Sequence, residues 1–290
     1  MKKALNTIAV IVVFALTTVA QNQKLTSKML YHNGPVLPGT QNIYTIYYGC
    51  WADNCGLAGD TRTMELMADF IIYLGNSPYA QINSTYTDAS GQPAASAFIY
   101  GGGIVDSSYS QGVDLTPSDM VSLISKYVNN FQLPQDSNGI YVIMASADIA
   151  STATGFCTPS VPPFHAQGIV NGAPVKYIFL GNPNRCPTVA GPQFSRTGPT
   201  PNDSYAADVL VSNLAHAING LVTNPLGNGW YDRYGLENTD KCQDALGNPG
   251  FGPTYLTANG ARANVRIGGR DFLIQQNWVN DRKPRCAMFR

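Results

Sequence analysis

The order of hydrophobic and polar positions along the chain predicts strands that alternate with helices. Short runs of β-branched and aromatic residues have the length of strands, and longer segments repeat hydrophobic residues at helical spacing. The predicted strands are 43–49, 139–147 and 175–181, the predicted helices are 61–74, 117–131 and 208–223, and weaker patterns favour strands at 79–88 and 266–276. We therefore predict one α/β domain in which helices flank a central mixed sheet.

The third predicted helix carries the clearest apolar stripe. Its stripe residues are Val209, Leu210, Leu214, Ile218, Leu221 and Val222. The helix should end near Thr223, because Asn224 precedes Pro225 and a residue before proline disfavours helical geometry. A loop rich in Gly and Asn then leads to a run of aromatic and acidic residues, so polar side chains are expected to collect beyond the end of this helix.

One turn of this helix resembles a zinc-hydrolase helix from which part of the chemistry is missing. Such helices carry His-Glu-x-x-His or His-Glu-x-x-Glu, which supplies two ligands on one face and a glutamate as general base. Here His216 is followed by Ala217, which cannot act as a base, and Gly220 stands at the second ligand position. The other candidates are the oxygen ligands Glu237 and Asp240 and, as ligand or general acid, His165. A metal-dependent hydrolase with zinc or calcium is therefore the alternative hypothesis.

The first twenty residues have the pattern of a secretory signal peptide. Lys2 and Lys3 form a basic start, residues 8–19 are almost wholly apolar, and small residues follow at 18–20. The apolar run is too short for a transmembrane helix, and no other run approaches that length. We assign residues 1–20 to a signal peptide and residues 21–290 to the folded domain, and we expect a secreted chain without a membrane anchor.

Composition argues against polyanionic partners. The chain has 18 basic and 18 acidic residues, and loss of Lys2 and Lys3 leaves a net charge of −2. This balance offers no basic surface for nucleic acid or for an anionic membrane. Charged residues make up only 12% of the chain, whereas roughly 25% is usual. A surface of amides, hydroxyls and tyrosines is suited to an extracellular setting and to contact with carbohydrate.

Cysteines and asparagines add two expectations about a secreted chain. The cysteines are Cys50, Cys55, Cys157, Cys186, Cys242 and Cys286. An even number behind a signal peptide favours disulfides over free thiols, although the residues alone leave the pairing open. Asn83 and Asn202 begin Asn-x-Ser/Thr triplets, which in a secreted eukaryotic chain predict glycans on exposed loops.

Other chemistries have less support. Three adjacent glycines at 101–103 predict a tight turn or a close backbone approach, since no P-loop lysine follows them. The sequence has no Gly-x-Ser-x-Gly nucleophile elbow. Glycoside cleavage would need two opposed carboxylates, and such acidic residues are also ordinary turn formers. The carboxylates considered for that role are Asp106, Asp148 and Asp232.

Several spaced motifs occur in a fixed order over residues 33–286. They are Gly34-Pro35-Val36-Leu37, Ala147-Asp148, Gly155-Phe156-Cys157 with His165, Gly181-Asn182 with Cys186-Pro187, the segment from Val222 to Tyr231, Asn259-Gly260, and Gly269-Arg270-Asp271-Phe272-Leu273. In this order they resemble the EXORDIUM, or phosphate-induced protein, family of secreted plant proteins and their microbial relatives.

The resemblance implies an extracellular or cell-wall protein, linked in plants to growth and hormone response, without a settled biochemical activity. Some relatives carry a fuller His-Glu-x-x-Glu helix, from which this chain departs at Ala217, Gly220 and Asn224, as plant-type members do. The resemblance and the proximity of the cysteines imply the pairs Cys50–Cys55, Cys157–Cys186 and Cys242–Cys286. We predict a non-catalytic secreted protein without a cofactor that binds a wall polysaccharide or an extracellular protein.

Overall fold

The computed structural model describes residues 27–290, apart from 160, 192 and 245–247. The predicted signal peptide lies outside the described residues. The strands are β1 (Met29–Tyr31), β2 (Thr40–Tyr48), β3 (Ala97–Asp106), β4 (Gly139–Ala145), β5 (Phe164–Val170), β6 (Ala173–Gly181), β7 (Trp230–Asp232), β8 (Tyr255–Leu256), β9 (Arg262–Ala263), β10 (Val265–Ile267), β11 (Arg270–Phe272), β12 (Asn277–Val279) and β13 (Arg285–Ala287). The α-helices are α1 (Thr61–Leu74), α2 (Pro117–Asn129), α3 (Pro187–Ala190) and α4 (Tyr205–Thr223).

Five strands form a central sheet in the order β3-β2-β4-β6-β5. The first four are parallel, and β5 pairs with β6 in the antiparallel sense. Strand β4 lies in the middle, and all seven of its residues are buried. A strand covered on both faces reads as a continuous apolar run, which is the pattern that predicted a buried central strand here. The mixed sheet flanked by helices in a single domain is confirmed.

The two faces of the sheet bury separate hydrophobic clusters because successive side chains of a strand point in opposite directions. On β2, Ile43 and Tyr47 pack with α1 and α4, whereas Tyr44, Ile46 and Tyr48 pack with α2. Helices α1 and α4 therefore cover one face, and α2 covers the other.

Capping side chains decide where the three long helices begin. Asp60 accepts a hydrogen bond from the Thr63 amide at 2.6 Å, and Thr116 forms a capping box with Asp119 at the start of α2. Helix α4 begins three residues before the prediction, at Tyr205, because the Ser204 side chain caps it. It ends at Thr223, as the proline two residues later predicts.

Small hairpins and three disulfides close the rest of the chain around this core. The hairpins and ribbons pair β1 with β7, β8 with β9, β10 with β11, and β12 with β13. The disulfides are Cys50–Cys55, Cys157–Cys186 and Cys242–Cys286, the three pairs that the resemblance implies. In the part of the chain that the structure describes, 3₁₀-helices connect the elements at Asp53–Ala58, Ala80–Thr85, Thr152–Thr154, Pro183–Arg185 and Asp240–Cys242.

Two predicted strands are wrong. Residues 79–88 contain a 3₁₀-helix, in which the hydroxyls of Ser84 and Thr85 donate to carbonyl groups three residues earlier and so support the turn rather than a strand. Residues 266–276 contain the β10–β11 hairpin rather than one strand, because Gly268 and Gly269 both have positive φ and turn the chain.

The structure also decides between the two alternatives for the adjacent glycines and places His165. The glycines at 101–103 lie within β3, where the Tyr44 ring and the Thr45 hydroxyl occupy the space that side chains of Gly101 and Gly103 would fill. The alternative of a close approach therefore holds, and the turn does not. His165 belongs to β5, so it is positioned by sheet pairing with Ile178. Within the described part of the chain, no helix has the length and apolar character needed to span a bilayer.

Candidate functional site

Helix α4 is buried along almost its whole length, and the partly exposed residue Asn213 lies at the candidate site. From Ala206 to Thr223 every residue is buried except Asn213, which is partly exposed. His216 lies one turn further along the same face, since residues three apart are neighbours on a helix. Both side chains line a cavity of about 260 Å³.

His216 is held by hydrogen bonds at both ring nitrogens. Nδ1 lies 3.0 Å from Gln275 Oε1, and Nε2 lies 3.3 Å from Asp240 Oδ1. The Gln275 amide nitrogen donates to the carbonyl groups of residues 239 and 242, so its oxygen faces the imidazole and can only accept. Nδ1 therefore carries a proton, and Nε2 faces a carboxylate.

This surrounding favours the charged form of His216. Burial by itself lowers the pKa of His216, but the hydrogen bond and charge of Asp240, with help from Gln275 and Glu237, outweigh it and raise that pKa above its ordinary value. The same contact holds the pKa of Asp240 below its ordinary value, although burial alone would raise it. His216 and Asp240 thus form a buried pair at the cavity wall, in which the charged form of each side chain is favoured.

A second pair occupies the space beside Gly220. His165 Nε2 lies 2.9 Å from Glu237 Oε2, and the other carboxylate oxygen of Glu237 accepts from Asn224 Nδ2 at 2.6 Å. A Cβ atom added at Gly220 would lie 2.4 Å from Glu237 Oε2 and 2.8 Å from His165 Nε2. Gly220 therefore leaves room for this pair at the position where a zinc-hydrolase helix carries its second ligand.

The structure brings the sequence candidates together in two pairs, not in one ligand set. His216 meets Asp240, and His165 meets Glu237. Among the residues that the structure describes, no group of three His, Cys, Asp or Glu side chains is placed to hold a metal ion. Neither nitrogen of His216 is directed at an open coordination position, because each already faces an acceptor. The geometry thus gives the zinc or calcium hypothesis no ligand set.

The carboxylates considered for glycoside cleavage are held by separate structural contacts. Asp106 accepts from Lys126 at 3.0 Å, Asp148 from Tyr109 at 2.6 Å, and Asp232 from Lys241 at 2.9 Å. Asp232 and Lys241 are buried together. Each carboxylate therefore serves its own loop or ion pair, as ordinary turn formers and buried pairs do.

The two glycosylation triplets do not expose their asparagines. Asn83 is fully buried and donates to the Ala95 carbonyl group at 3.2 Å. Asn202 is 8% exposed, and its amide nitrogen donates to Asp208 and to the Asp271 carbonyl group. The expectation of exposed acceptor side chains is wrong, because both amides are used to fix buried loops.

The cavity lies at the carboxyl edge of the sheet, next to the end of β6. The loop that follows β4 and the segment that follows β6 both leave this edge, and the Cys157–Cys186 disulfide joins them. The Phe156 ring lies where a side chain at Gly181 would be, so Gly181 allows the ring to close over the end of β6. Crevices at the carboxyl ends of strands are the usual ligand sites of open α/β sheets.

The lining combines aromatic rings and prolines with uncharged polar groups. Its apolar part consists mainly of Phe156, Pro159, Val161, Pro162, Pro163, Phe164 and Phe179, and its amide part of Gln193, Asn213, Gln243, Asn248 and Gln275. Both polar atoms of the Gln193 amide are buried, and neither has a hydrogen-bond partner among the described residues. Such an amide is unusual, because buried polar groups are almost always paired.

Sequence reasoning did not find this cavity. The sequence is rich in proline at 156–165 and 183–201, and long loops pinned by crosslinks are a general signal of function. Nothing in the sequence distinguishes Gln193 from the other glutamines, and Gln275 lay in a segment predicted as strand. Their roles follow only from the tertiary contacts.

Fold and site together define a disulfide-crosslinked α/β protein with a cavity at the edge of its sheet whose described lining contains no Asp, Glu, Lys or Arg. The chain belongs to the phosphate-induced protein 1 family, since the family's conserved region matches residues 29–289. The resemblance seen in the motifs is thereby confirmed.

Curated relatives cover most of the chain. It is 29% identical to Protein EXORDIUM-like 5 of Arabidopsis thaliana over 86% of this chain and 74% of that protein. It is 28% identical to Protein EXORDIUM of the same plant over 84% of each chain. It is 26% identical to Protein PHOSPHATE-INDUCED 1 of Nicotiana tabacum over 90% of this chain and 87% of that protein. No solved structure matches the chain.

Proposed function

We propose that this protein is secreted and binds an extracellular or cell-wall polysaccharide in the cavity between the 156–163 loop and helix α4. The N-terminal pattern of a signal peptide and the three disulfides support an extracellular location, because disulfides persist in oxidising compartments. Membership of the phosphate-induced protein 1 family is compatible with this location.

The observation that carries the proposal is the composition of the cavity wall. Aromatic rings and prolines line the cavity together with five side-chain amides. Sugars present two matching kinds of surface, since their C–H faces pack on aromatic rings while their hydroxyls exchange hydrogen bonds with amides. A concave site with apolar walls and a few convergent polar groups is the usual form of a small-ligand pocket.

A binding role without catalysis fits the contacts behind the wall. Ala217 stands at the position of the general base, and the two histidines are engaged by carboxylates. No residue of the candidate ligand set is left to activate a water molecule in the manner of a zinc hydrolase. Of the chemical roles open to His216, orienting the cavity wall through Gln275 is the one that its contacts support.

The test is a binding measurement on the secreted, oxidised full chain. An array of plant and microbial wall glycans would identify candidates, and calorimetry or ligand-observed NMR would measure them in solution. Gln193→Ala and Asn213→Ala should weaken binding at least about tenfold, the loss of roughly one good hydrogen bond. Gln132→Ala is the matched control, because Gln132 lines a different cavity. Failure of every glycan to bind would refute the proposal, and capture of a protein instead would favour the other partner class.

A further inference from the structure

We infer that the cavity accepts one uncharged sugar ring and rejects acidic sugars such as uronates. This inference rests on the proposed function, because it specifies which class of carbohydrate the same cavity would take. It is argued from the size of the cavity, the charge of its wall and the state of one amide.

The size of the cavity limits its occupant. At about 260 Å³ it is smaller than the roughly 300–1,000 Å³ that bury a drug-sized ligand. One pyranose ring is the matching unit, and a longer oligosaccharide would have to leave the cavity after that ring. The cavity thus suits the end of a chain or a side branch more than the middle of a stretched polymer.

Among the described residues of the wall, no cation is free to pair with an anionic ligand. None of the described residues that line the cavity is Asp, Glu, Lys or Arg. His216 is the ionisable group on the wall, and its two nitrogens already face Gln275 and Asp240. A buried carboxylate without a cation costs far more than a buried hydroxyl group, so a uronate would bind much more weakly than the corresponding neutral sugar.

Carboxylates behind the wall oppose an acidic ligand further. Asp240 lies behind His216, and Asp244 accepts from the amide nitrogen of Asn248, which lines the cavity. Like charges repel, so these two carboxylates disfavour an anionic group close to them.

Gln193 supplies the polar recognition. An amide offers a donor and an acceptor side by side, and two adjacent sugar hydroxyls offer the complementary acceptor and donor. Its polar atoms are buried, so the amide has to turn toward the cavity to meet the ring. The turn breaks no hydrogen bond within the described part of the chain, which makes it an inexpensive movement.

The experiment compares matched pairs of sugars on the full oxidised chain. Saturation-transfer NMR would measure methyl glycosides of glucose and galactose against the sodium salts of the corresponding methyl glucuronide and galacturonide. Neutral glycosides are expected to bind with Kd values on the order of millimolar, and each uronate at least about tenfold more weakly. Gln193→Ala should remove the neutral signal, whereas Gln132→Ala should retain it.

The possible outcomes separate the two proposals. Equal or tighter binding of the uronates would overturn the present inference while supporting a carbohydrate site. If the protein binds none of these sugars and no glycan of the array, the proposed function itself is overturned. Neutral binding that is unchanged in Gln193→Ala would also overturn the assignment of this amide.

Discussion

Replacement of Gln193 by methionine should stabilise the free protein and at the same time abolish ligand binding. Methionine has a similar length and flexibility but no group that needs a hydrogen bond. The wild-type amide is buried with both polar atoms unpaired among the described residues. The substitution therefore removes a desolvation cost and loses no protein contact.

The magnitude follows from the cost of an unpaired buried group. Leaving one buried donor or acceptor without a partner costs about 1–3 kcal/mol, and part of that is regained when an apolar group fills the same space. We expect Gln193→Met to raise the free energy of unfolding by about 1–2 kcal/mol. For a domain of this size, that change raises Tm by about 2–6 °C.

The assay is thermal unfolding under oxidising conditions, with and without the sugar that binds best. The ligand should raise the Tm of the wild type by mass action and should leave the Tm of Gln193→Met unchanged. Gln132→Met is the control, because Gln132 is exposed and should shift Tm by little. A lower Tm for Gln193→Met would refute the reasoning, since it would mean that the amide has a partner in solution.

Three further predictions test the surrounding structure. Gly220→Ala should reduce the free energy of unfolding by on the order of 1 kcal/mol in chemical denaturation, because displacement of the His165–Glu237 pair outweighs the gain in helix propensity. Asp106→Asn should lower stability at pH 7 and flatten the loss of stability on acidification, measured by denaturation between pH 2 and pH 7. The secreted protein, purified without chelator, should contain less than about a tenth of an equivalent of zinc or calcium by elemental analysis, and His216→Ala should not differ.

The sign of the Asp106 prediction follows from its contacts. Burial alone would raise the pKa of Asp106, but hydrogen bonds from Ser108, Ser110 and Lys126 outweigh it and hold that pKa well below its ordinary value. The stabilisation is therefore present above the unfolded-state pKa of about 3.9 and is lost as the pH falls below it. An acid limb that is unchanged in Asp106→Asn would contradict this account.

The other two predictions have their own controls. For Gly220→Ala, the control is a double-mutant cycle with Glu237→Ala. Gly220→Ala should reduce the free energy of unfolding by less in the Glu237→Ala background than in the wild type, because the obstructing carboxylate is gone. Equal reductions in both backgrounds would argue against the contact. For the metal measurement, near-stoichiometric metal that disappears in His216→Ala would revive the hydrolase hypothesis and justify protease and esterase screens.

The family membership also bears on what can be transferred between relatives. Identities of 24–29% over most of the chain support one shared fold for this chain and the curated plant proteins. These identities do not determine which residues line the cavity in each relative, and a few substitutions among its amides or rings would change the ligand that binds. Each relative's wall should therefore be compared at the positions equivalent to Gln193 and Asn213 before a sugar class is assigned.

The sequence by itself determined the elements whose signals are local. Helix α1, the start of α2, the end of α4 and strand β4 follow from local patterns within a few residues. It also determined the family, because ordered motifs remain readable without coordinates.

Only the tertiary structure decided the site. His165 and Glu237 are 72 positions apart in sequence, and they meet because sheet pairing turns His165 toward α4. Gln275 reaches His216 from 59 positions away, through hairpins that sequence patterns read as a single strand. Contacts of this kind depend on how separate elements pack, and no local propensity encodes them. For the same reason the cavity, and the unpaired amide of Gln193, could be found only once the sheet and α4 were in place.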